Sequence, residues 1–168
     1  MPKNLVIIPT YNEKENIESI LKSVFVLQPQ FDVLVVDDNS PDKTADIVRS
    51  LQKQFPDRLF LEVRKVKDGL GRAYVHGFQW AIKNNYDFIF EMDADFSHNP
   101  NDLPILLQTL QTKADMVIGS RYLTGVNVVN WPMNRVLLSY FASKYVRFIT
   151  RLPIHDSTAG FVLSLIHI

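Results

Sequence analysis

The chain has 168 residues, of which 46% are hydrophobic and 21% charged, so it is long enough for one globular domain with a sizeable core. Its 18 Lys and Arg residues balance its 18 Asp and Glu residues, which argues against a nucleic-acid partner because such proteins usually carry a basic excess. The absence of cysteine excludes disulfides, cysteine-ligated zinc and thiol nucleophiles, and it favours a cytoplasmic location.

Short apolar segments recur along the chain and are predicted to be strands buried on both faces of a mostly parallel sheet. These segments are Leu5–Ile8, Val33–Val36, Leu59–Val63, Phe88–Met92 and Met116–Ile118. None of the apolar runs reaches the roughly 18 residues that a membrane-spanning helix needs, and the first is too short for a signal peptide.

Helices are predicted between these strands, because apolar residues there recur at helical spacing. The first carries Ile17–Val24 and is expected to begin at Asn12, which has Glu15 three residues later as in a capping box. The others carry Ala45–Leu51, Phe78–Ile82 and Leu103–Leu110, with Asp42 or Ser40 as a cap of the second and Pro100 near the start of the last. This alternation predicts an α/β fold, in which ligands bind at the carboxyl ends of the strands.

The alternation stops after Gly119. Residues 122–131 are predicted to form a loop, and Met133–Thr150 an amphipathic helix whose aromatic side chains we expect in the core rather than in a ligand site. The loop is apolar at Val126, Val128, Val129 and Trp131, which either enter a membrane interface or pack on the domain.

Carboxylates follow three of the predicted strands, at the edge where ligands are expected. Glu13 follows the first strand, Asp37 and Asp38 follow the second, and Asp93 and Asp95 follow the fourth. Like charges held close together are unfavourable unless a cation or a positive ligand offsets them. The pair Asp93 and Asp95 suits a hard divalent ion whose other coordination positions hold phosphates and water. The histidine that follows it, His98, is interpreted as a surface turn residue.

Five characteristic segments follow one another along the chain: Pro9–Glu13, Val35–Thr44, Gly69–Gly77, Asp93–Pro100 and Gly119–Tyr122. Together they resemble the family-2 glycosyltransferases of GT-A fold, and within that family most of all the dolichyl-phosphate (polyprenyl-phosphate) mannose synthases. The resemblance implies a Rossmann-like three-layer α/β/α architecture with a mostly parallel central sheet. Asn39 stands where the family usually has glycine, and we expect it to adopt the positive φ that asparagine tolerates.

The resemblance also implies roles for individual residues. Those implied to bind the nucleotide of GDP-mannose are Pro9, Tyr11, Glu13, Val36, Asp38, Asp93 and Ala94. Those implied to bind Mg²⁺ or Mn²⁺ are Asp93 and Asp95, with Ser97 near the metal. Those implied to act in catalysis are Asp95, Arg121, Arg135 and Asp156, with both arginines facing the sugar and the acceptor phosphate.

The activity implied by the resemblance is transfer of mannose from GDP-mannose to dolichyl or polyprenyl phosphate, with inversion, at the cytoplasmic face of a membrane. The chain would bind there peripherally, and a membrane-anchoring subunit is a further partner consistent with this. Residues 1–161 are expected to be the catalytic domain, truncated at its C-terminus, and residues 162–168 an unrelated tail.

Other functions stay open at this point. One is a related family-2 enzyme that uses UDP-glucose with a polyprenyl-phosphate or glycan acceptor, and another is a nucleotide-sugar-binding module without catalysis. A phospho-acceptor receiver domain is disfavoured, because receivers place their acidic pair after the first strand whereas Asp37 and Asp38 follow the second.

Overall fold

The computed structural model describes residues 2–120, 133–152, 154, 156 and 159–165, apart from the side chains of Lys113 and Arg135. The strands within these residues are β1 (Asn4–Thr10), β2 (Asp32–Asp37), β3 (Leu59–Val63), β4 (Phe88–Glu91), β5 (Met116–Ile118) and β6 (Val162–Leu165). The helices are α1 (Ile17–Phe25), α2 (Thr44–Gln52), α3 (Leu70–Lys83), α4 (Leu103–Lys113) and α5 (Met133–Thr150), with a 3₁₀ turn over Pro100–Asp102.

The strands form one sheet in the order β3-β2-β1-β4-β6-β5. Strands β1 to β4 run parallel to one another, and β6 runs antiparallel to both β4 and β5. All five predicted strands are present. The structure adds β6, whose residues were expected to belong to an unrelated tail. Val162–Leu165 pair on both sides within the sheet and Leu163 is fully buried, while the domain boundary at residue 161 stays a prediction.

Helices cover both faces of the sheet, so the predicted three-layer architecture is confirmed. Alternate residues of each strand point to opposite faces, and in β1 Val6 and Ile8 pack in the cluster that contains the buried residues of α1, α2 and α4. Leu5 and Ile7 pack on the other face, with Ala73 and other residues of α3. The carboxyl ends of β1, β2 and β4 therefore lie side by side at one edge, with helices on either side.

The turns before α1 and α2 differ from the prediction in part. Helix α1 begins at Ile17 rather than at Asn12, whose φ of 62° is left-handed and whose N–H donates to the Ser40 hydroxyl. The N-cap residue of α2 is Lys43 rather than Asp42 or Ser40, and Asp42 just before it accepts the Thr44 N–H with its Oδ1 at 2.9 Å. The segment between β1 and α1 is therefore a loop tied to the loop after β2, which keeps both at the carboxyl edge of the sheet.

Helix α5 has the predicted bounds, but its aromatic side chains are not in the core. Phe141, Tyr145 and Phe148 are 60%, 68% and 81% exposed, whereas Val136 and Ser143 are buried. Amphipathic periodicity predicts a helix without specifying what its apolar side contacts. No helix in the described part of the chain is both long and apolar enough to cross a membrane. The predicted loop over 122–131 lies outside the described residues.

Candidate functional site

A cavity of about 260 Å³ opens where β1, β2 and β4 end. Seven of the residues predicted to bind nucleotide or metal line it: Pro9, Tyr11, Glu13, Asp38, Asp93, Ala94 and Asp95. Four further residues, to which the sequence assigned no role, complete the described lining: Thr10, Lys67, Leu70 and Ala73. The edge of the sheet thus brings together side chains that are up to 86 positions apart in the sequence, from Pro9 to Asp95.

The other predicted site residues do not line this cavity. Val36 is buried in the core cluster that also contains Ala73. Ser97 is exposed, and its N–H donates to Asp95 Oδ1 at 2.9 Å. Asp156 is buried, while Arg121 and the side chain of Arg135 lie outside the described residues.

Among the described residues, Tyr74, His98 and Gly160 lie against Asp93. The Tyr74 hydroxyl donates to its Oδ1 at 3.3 Å, and its own N–H donates to His98 Nδ1 at 3.3 Å. A Cβ placed on Gly160 would lie 3.3 Å from Asp93 Oδ2, so the backbone of Gly160 packs against the carboxylate. His98 is itself buried and stacks on Phe161, with ring centroids 4.9 Å apart. Its interpretation as a surface turn residue was therefore wrong.

Lys67 covers Tyr11 at the mouth of the cavity. Its Nζ lies 3.6 Å from the centroid of the Tyr11 ring, a cation–π contact. Sequence reasoning missed Lys67 because a single lysine in the loop after β3 matches no pattern. Its position after a strand was the available signal, since the loops that follow parallel strands reach the same edge of the sheet. The contact places one positive charge among the carboxylates of the lining.

Asp38 is buried, with 7% of its surface exposed, although it lines the cavity. Its Oδ1 lies 3.2 Å from Nε of Arg64, just after β3. Burial raises the pKa of Asp38, while the Arg64 guanidinium opposes the rise and the adjacent Asp37 carboxylate adds to it. A buried acceptor in this position is suited to N–H or O–H donors of a ligand, because burial strengthens such hydrogen bonds.

Glu91, at the end of β4, also has an altered protonation equilibrium. Burial, with the Asp93 carboxylate adding to it, raises the pKa of Glu91 to about 7. Burial also raises the pKa of Tyr74, again with a contribution from Asp93. Tyr74 therefore keeps its proton at neutral pH and acts as a hydrogen-bond donor to the carboxylate.

The chemistry of the lining fits a divalent cation held partly by its ligand. The described residues contain no group of three or more His, Asp or Glu side chains arranged to hold an ion without help. Mg²⁺ usually takes one or two carboxylates and completes its shell with substrate phosphates and water. Asp93 and Asp95 supply two carboxylates on one cavity, which fits a site completed by a diphosphate.

Comparison with known proteins places the sequence in a family. The model of the family described as glycosyl transferase family 2 matches residues 5–165. A polyprenol monophosphomannose synthase of Mycolicibacterium smegmatis is 47% identical over 159 residues, covering 95% of this chain and 60% of that protein. An undecaprenyl-phosphate mannosyltransferase of Micrococcus luteus is 46% identical, covering 94% of this chain and 64% of that protein. The chain thus spans less than two thirds of the length of these relatives.

Solved structures with the same architecture carry nucleotide-sugar ligands. The mannosyltransferase PcManGT of Pyrobaculum calidifontis, in complex with GDP-Man and Mn²⁺, aligns with a TM-score of 0.60 and 26% identity, over 71% of this chain and 35% of that one. A glucosyl-3-phosphoglycerate synthase of Mycobacterium tuberculosis aligns with a TM-score of 0.70 at 18% identity, over 98% of this chain and 57% of that one. The predicted GT-A fold is confirmed, and the chain belongs to glycosyl transferase family 2.

Proposed function

We propose that this chain is the nucleotide-sugar domain of an enzyme that transfers mannose from GDP-mannose to a polyprenyl phosphate such as dolichyl phosphate. The observation that carries the proposal is the single cavity that joins Asp93 and Asp95 to Tyr11 and Asp38. The names of the two bacterial relatives support the polyprenyl-phosphate acceptor and the mannosyl group. The GDP-Man complex of PcManGT supports the donor.

The nucleotide occupies the side of the cavity formed by β1 and β2 in this proposal. Asp38 accepts hydrogen bonds from the guanine or ribose, and Pro9 and Tyr11 provide apolar surface beside them. Glu13 lies at the same end, where its N–H donates to the Thr44 hydroxyl at 3.1 Å and so fixes the loop. Ala94 packs against the nucleotide, while Val36 acts from the core behind the cavity wall.

Asp93 and Asp95 are the proposed ligands of Mg²⁺ or Mn²⁺, with Ser97 beside them. When bound, the ion neutralises the negative charge of the departing nucleoside diphosphate. Asp95 is oriented for this role by the Ser97 N–H, which occupies one of its carboxylate oxygens.

The acceptor is a phosphate monoester, whose oxygen is already anionic near neutral pH. The chain therefore needs cationic groups to guide the acceptor rather than a strong general base. Arg121 and Arg135 are proposed to bind the acceptor phosphate and the sugar, because guanidinium groups bind phosphate oxygens in a bidentate way. Asp156 lies on the acceptor side, and attack opposite the leaving group inverts the anomeric carbon.

A lipid acceptor requires access to a membrane surface, and we propose peripheral binding at the cytoplasmic face. Helix α5 supports this, because exposed Phe141, Tyr145 and Phe148 alternate with the cations Lys144 and Arg147. Helices that lie in the membrane interface combine apolar or aromatic residues with basic ones in this manner. Residues 122–131 follow Arg121 in the sequence, and their apolar side chains are proposed to enter the same interface, with or without an anchoring subunit.

Ligand-dependent thermal stability tests the nucleotide and metal assignments. GDP with Mn²⁺ at about 100 times the dissociation constant should stabilise the fold by about 2.7 kcal/mol, which corresponds to a rise in Tm on the order of 5–10 °C. The Asp93→Asn variant should lose the Mn²⁺-dependent part of this rise. Asp32→Asn is the matched control, because Asp32 lies at the opposite end of β2 and should leave the rise unchanged.

The same assay separates the proposal from its alternatives. Equal stabilisation by UDP and GDP would contradict the assignment of a guanine nucleotide, and no stabilisation by either would contradict the nucleotide site. Turnover of radiolabelled GDP-mannose with a short polyprenyl phosphate then distinguishes an enzyme from a binding module. A product that retains the anomeric configuration would contradict the single displacement.

A further inference from the structure

We propose that Tyr74 is the positioning residue for Asp93, whose carboxylate it holds in the orientation needed to bind a divalent cation. The proposal rests on the proposed function, because it concerns the same cation site. Tyr74 belongs to α3, on the face of the sheet opposite α1, and it does not line the cavity among the described residues. It therefore acts on the cation through Asp93 and not by direct contact.

The ring of Tyr74 is fixed by the core. It is buried in the cluster that contains Leu5 and Ile7 of β1, and it stacks on Phe78 one turn later in α3, with ring centroids 6.2 Å apart. A ring held in this way has little rotational freedom, so its hydroxyl occupies a defined position. That position is 3.3 Å from Asp93 Oδ1, which makes a long hydrogen bond.

The opposite side of the Asp93 carboxylate is also confined. Its Oδ2 packs against the backbone of Gly160, where even a methyl group would approach to 3.3 Å. The Asp93 main chain is fixed in turn by the hydrogen bond from its N–H to His98 Nδ1. The hydroxyl of Tyr74 holds the other oxygen of this carboxylate, Oδ1.

Orientation matters because a carboxylate that binds a cation is usually itself hydrogen-bonded. Loss of such a supporting hydrogen bond typically lowers metal affinity by 10- to 100-fold. Replacing Tyr74 with phenylalanine removes the hydroxyl while retaining the ring and its packing. Because the hydrogen bond is long, we expect the weaker end of this range, about a tenfold loss of Mn²⁺ affinity.

The chain contains a matched control in Tyr86. This tyrosine is buried in the same cluster, stacks on Trp80 at 5.9 Å, and donates its hydroxyl to an aspartate, Asp32 Oδ2, at 2.9 Å. Asp32 is at the amino end of β2, away from the cavity. Tyr86→Phe therefore reproduces the loss of a buried tyrosine–aspartate hydrogen bond without affecting the cation site.

The experiment measures Mn²⁺ binding by electron paramagnetic resonance in the presence of GDP, for the wild-type chain, Tyr74→Phe, Tyr86→Phe, Asp93→Asn and the Tyr74→Phe/Asp93→Asn double variant. We expect about tenfold weaker binding for Tyr74→Phe, wild-type binding for Tyr86→Phe, and no further loss when Tyr74→Phe is added to Asp93→Asn. Tyr74→Phe and Tyr86→Phe should show similar circular dichroism spectra and similar thermal midpoints.

The contrary outcomes are distinct. Equal Mn²⁺ affinity in Tyr74→Phe and Tyr86→Phe would overturn the role of Tyr74 while leaving the proposed function intact. An additional loss in the double variant would also overturn it, because Tyr74 would then act independently of Asp93. Failure of the wild-type chain to bind Mn²⁺ with GDP would overturn both proposals.

Discussion

Asp37 and Asp38 are adjacent in the sequence but serve different purposes. Asp37 is fully buried and accepts hydrogen bonds from the Thr10 hydroxyl at 2.8 Å, the Ser40 N–H at 2.9 Å and the Ser40 hydroxyl at 2.6 Å. It therefore anchors the loop after β2 to the end of β1. Asp38 lines the cavity, and Asn39 beyond it has φ of 56°, which confirms the expected left-handed turn.

Glu91 provides a prediction about the pH dependence of stability in the metal-free chain. Its pKa is about 7 in the folded protein, against an ordinary value of 4.5, because of burial and the nearby Asp93 carboxylate. The folded state therefore binds more protons than the unfolded state between these values. The free energy of unfolding should fall as pH rises from about 4.5 through 7, and Glu91→Gln should remove this component.

Urea denaturation at several pH values, with a chelator present, measures this effect. The wild-type chain should lose stability relative to Glu91→Gln as the pH rises from about 4.5 through 7. Identical pH profiles for the two proteins would contradict the assignment to Glu91.

Among the elements, α3 links the core to the candidate site. Its first residues include Leu70 and Ala73 of the cavity lining, and Tyr74 follows with its hydroxyl on Asp93. Three residues later, Gly77 allows α3 to lie close to β1, since a Cβ there would come within 2.7 Å of Ile7 Cγ2. The glycine thus sets how closely α3 approaches the sheet and where its N-terminus reaches the cavity.

Alanine substitutions at two glycines of α3 test this close approach. Gly77→Ala should lower the free energy of unfolding by about 1–3 kcal/mol, because the fully buried Ile7 must move to make room for the methyl group. Gly71→Ala is the matched control, since a Cβ there meets nothing within 4 Å. Its stability should be unchanged or raised by up to about 1 kcal/mol through helix propensity.

Chemical denaturation of both variants gives the comparison directly. A Gly77→Ala protein as stable as Gly71→Ala would show that α3 does not rest on β1 as closely as the structure has it.

At the scale of the whole molecule, the sheet depends on a strand far along the chain. After β5 the chain forms α5 and then returns to insert β6 between β4 and β5. Glu91 of β4 and Ile118 of β5 both pair with Val162, so β6 bridges these two strands. The edge that carries Asp93 is therefore supported on one side by β1 and on the other by β6.

Truncation tests whether residues 162–165 belong to the domain. A chain ending at residue 161 should be less stable than a chain ending at residue 165 by at least about 3 kcal/mol, because it lacks fully buried Leu163 and leaves β4 and β5 without a shared partner. Thermal unfolding of the two chains measures the difference. Equal midpoints would support the original expectation of a boundary at residue 161.

The sequence by itself determined where the first five strands and the helices between them lie along the chain. Strands buried on both faces require continuous apolar runs such as Val33–Val36, and helices packed on a sheet require apolar residues at helical spacing. Both kinds of element can therefore be recognised from the local sequence. The placement of Asp38, Asp93 and Asp95 at one edge followed from the predicted strands, because the carboxyl ends of parallel strands all lie at that edge.

Only the tertiary structure decided the contacts between distant segments. Val162–Leu165 is a strand because β4 and β5 lie open on either side of it, which its own four residues do not reveal. Tyr74 donates to Asp93, 19 positions away, because α3 crosses back over β1 and brings its hydroxyl to the end of β4. The aromatic residues of α5 are exposed although its sequence is amphipathic. An amphipathic sequence indicates which side of a helix can be buried, whereas burial itself requires another surface to pack against.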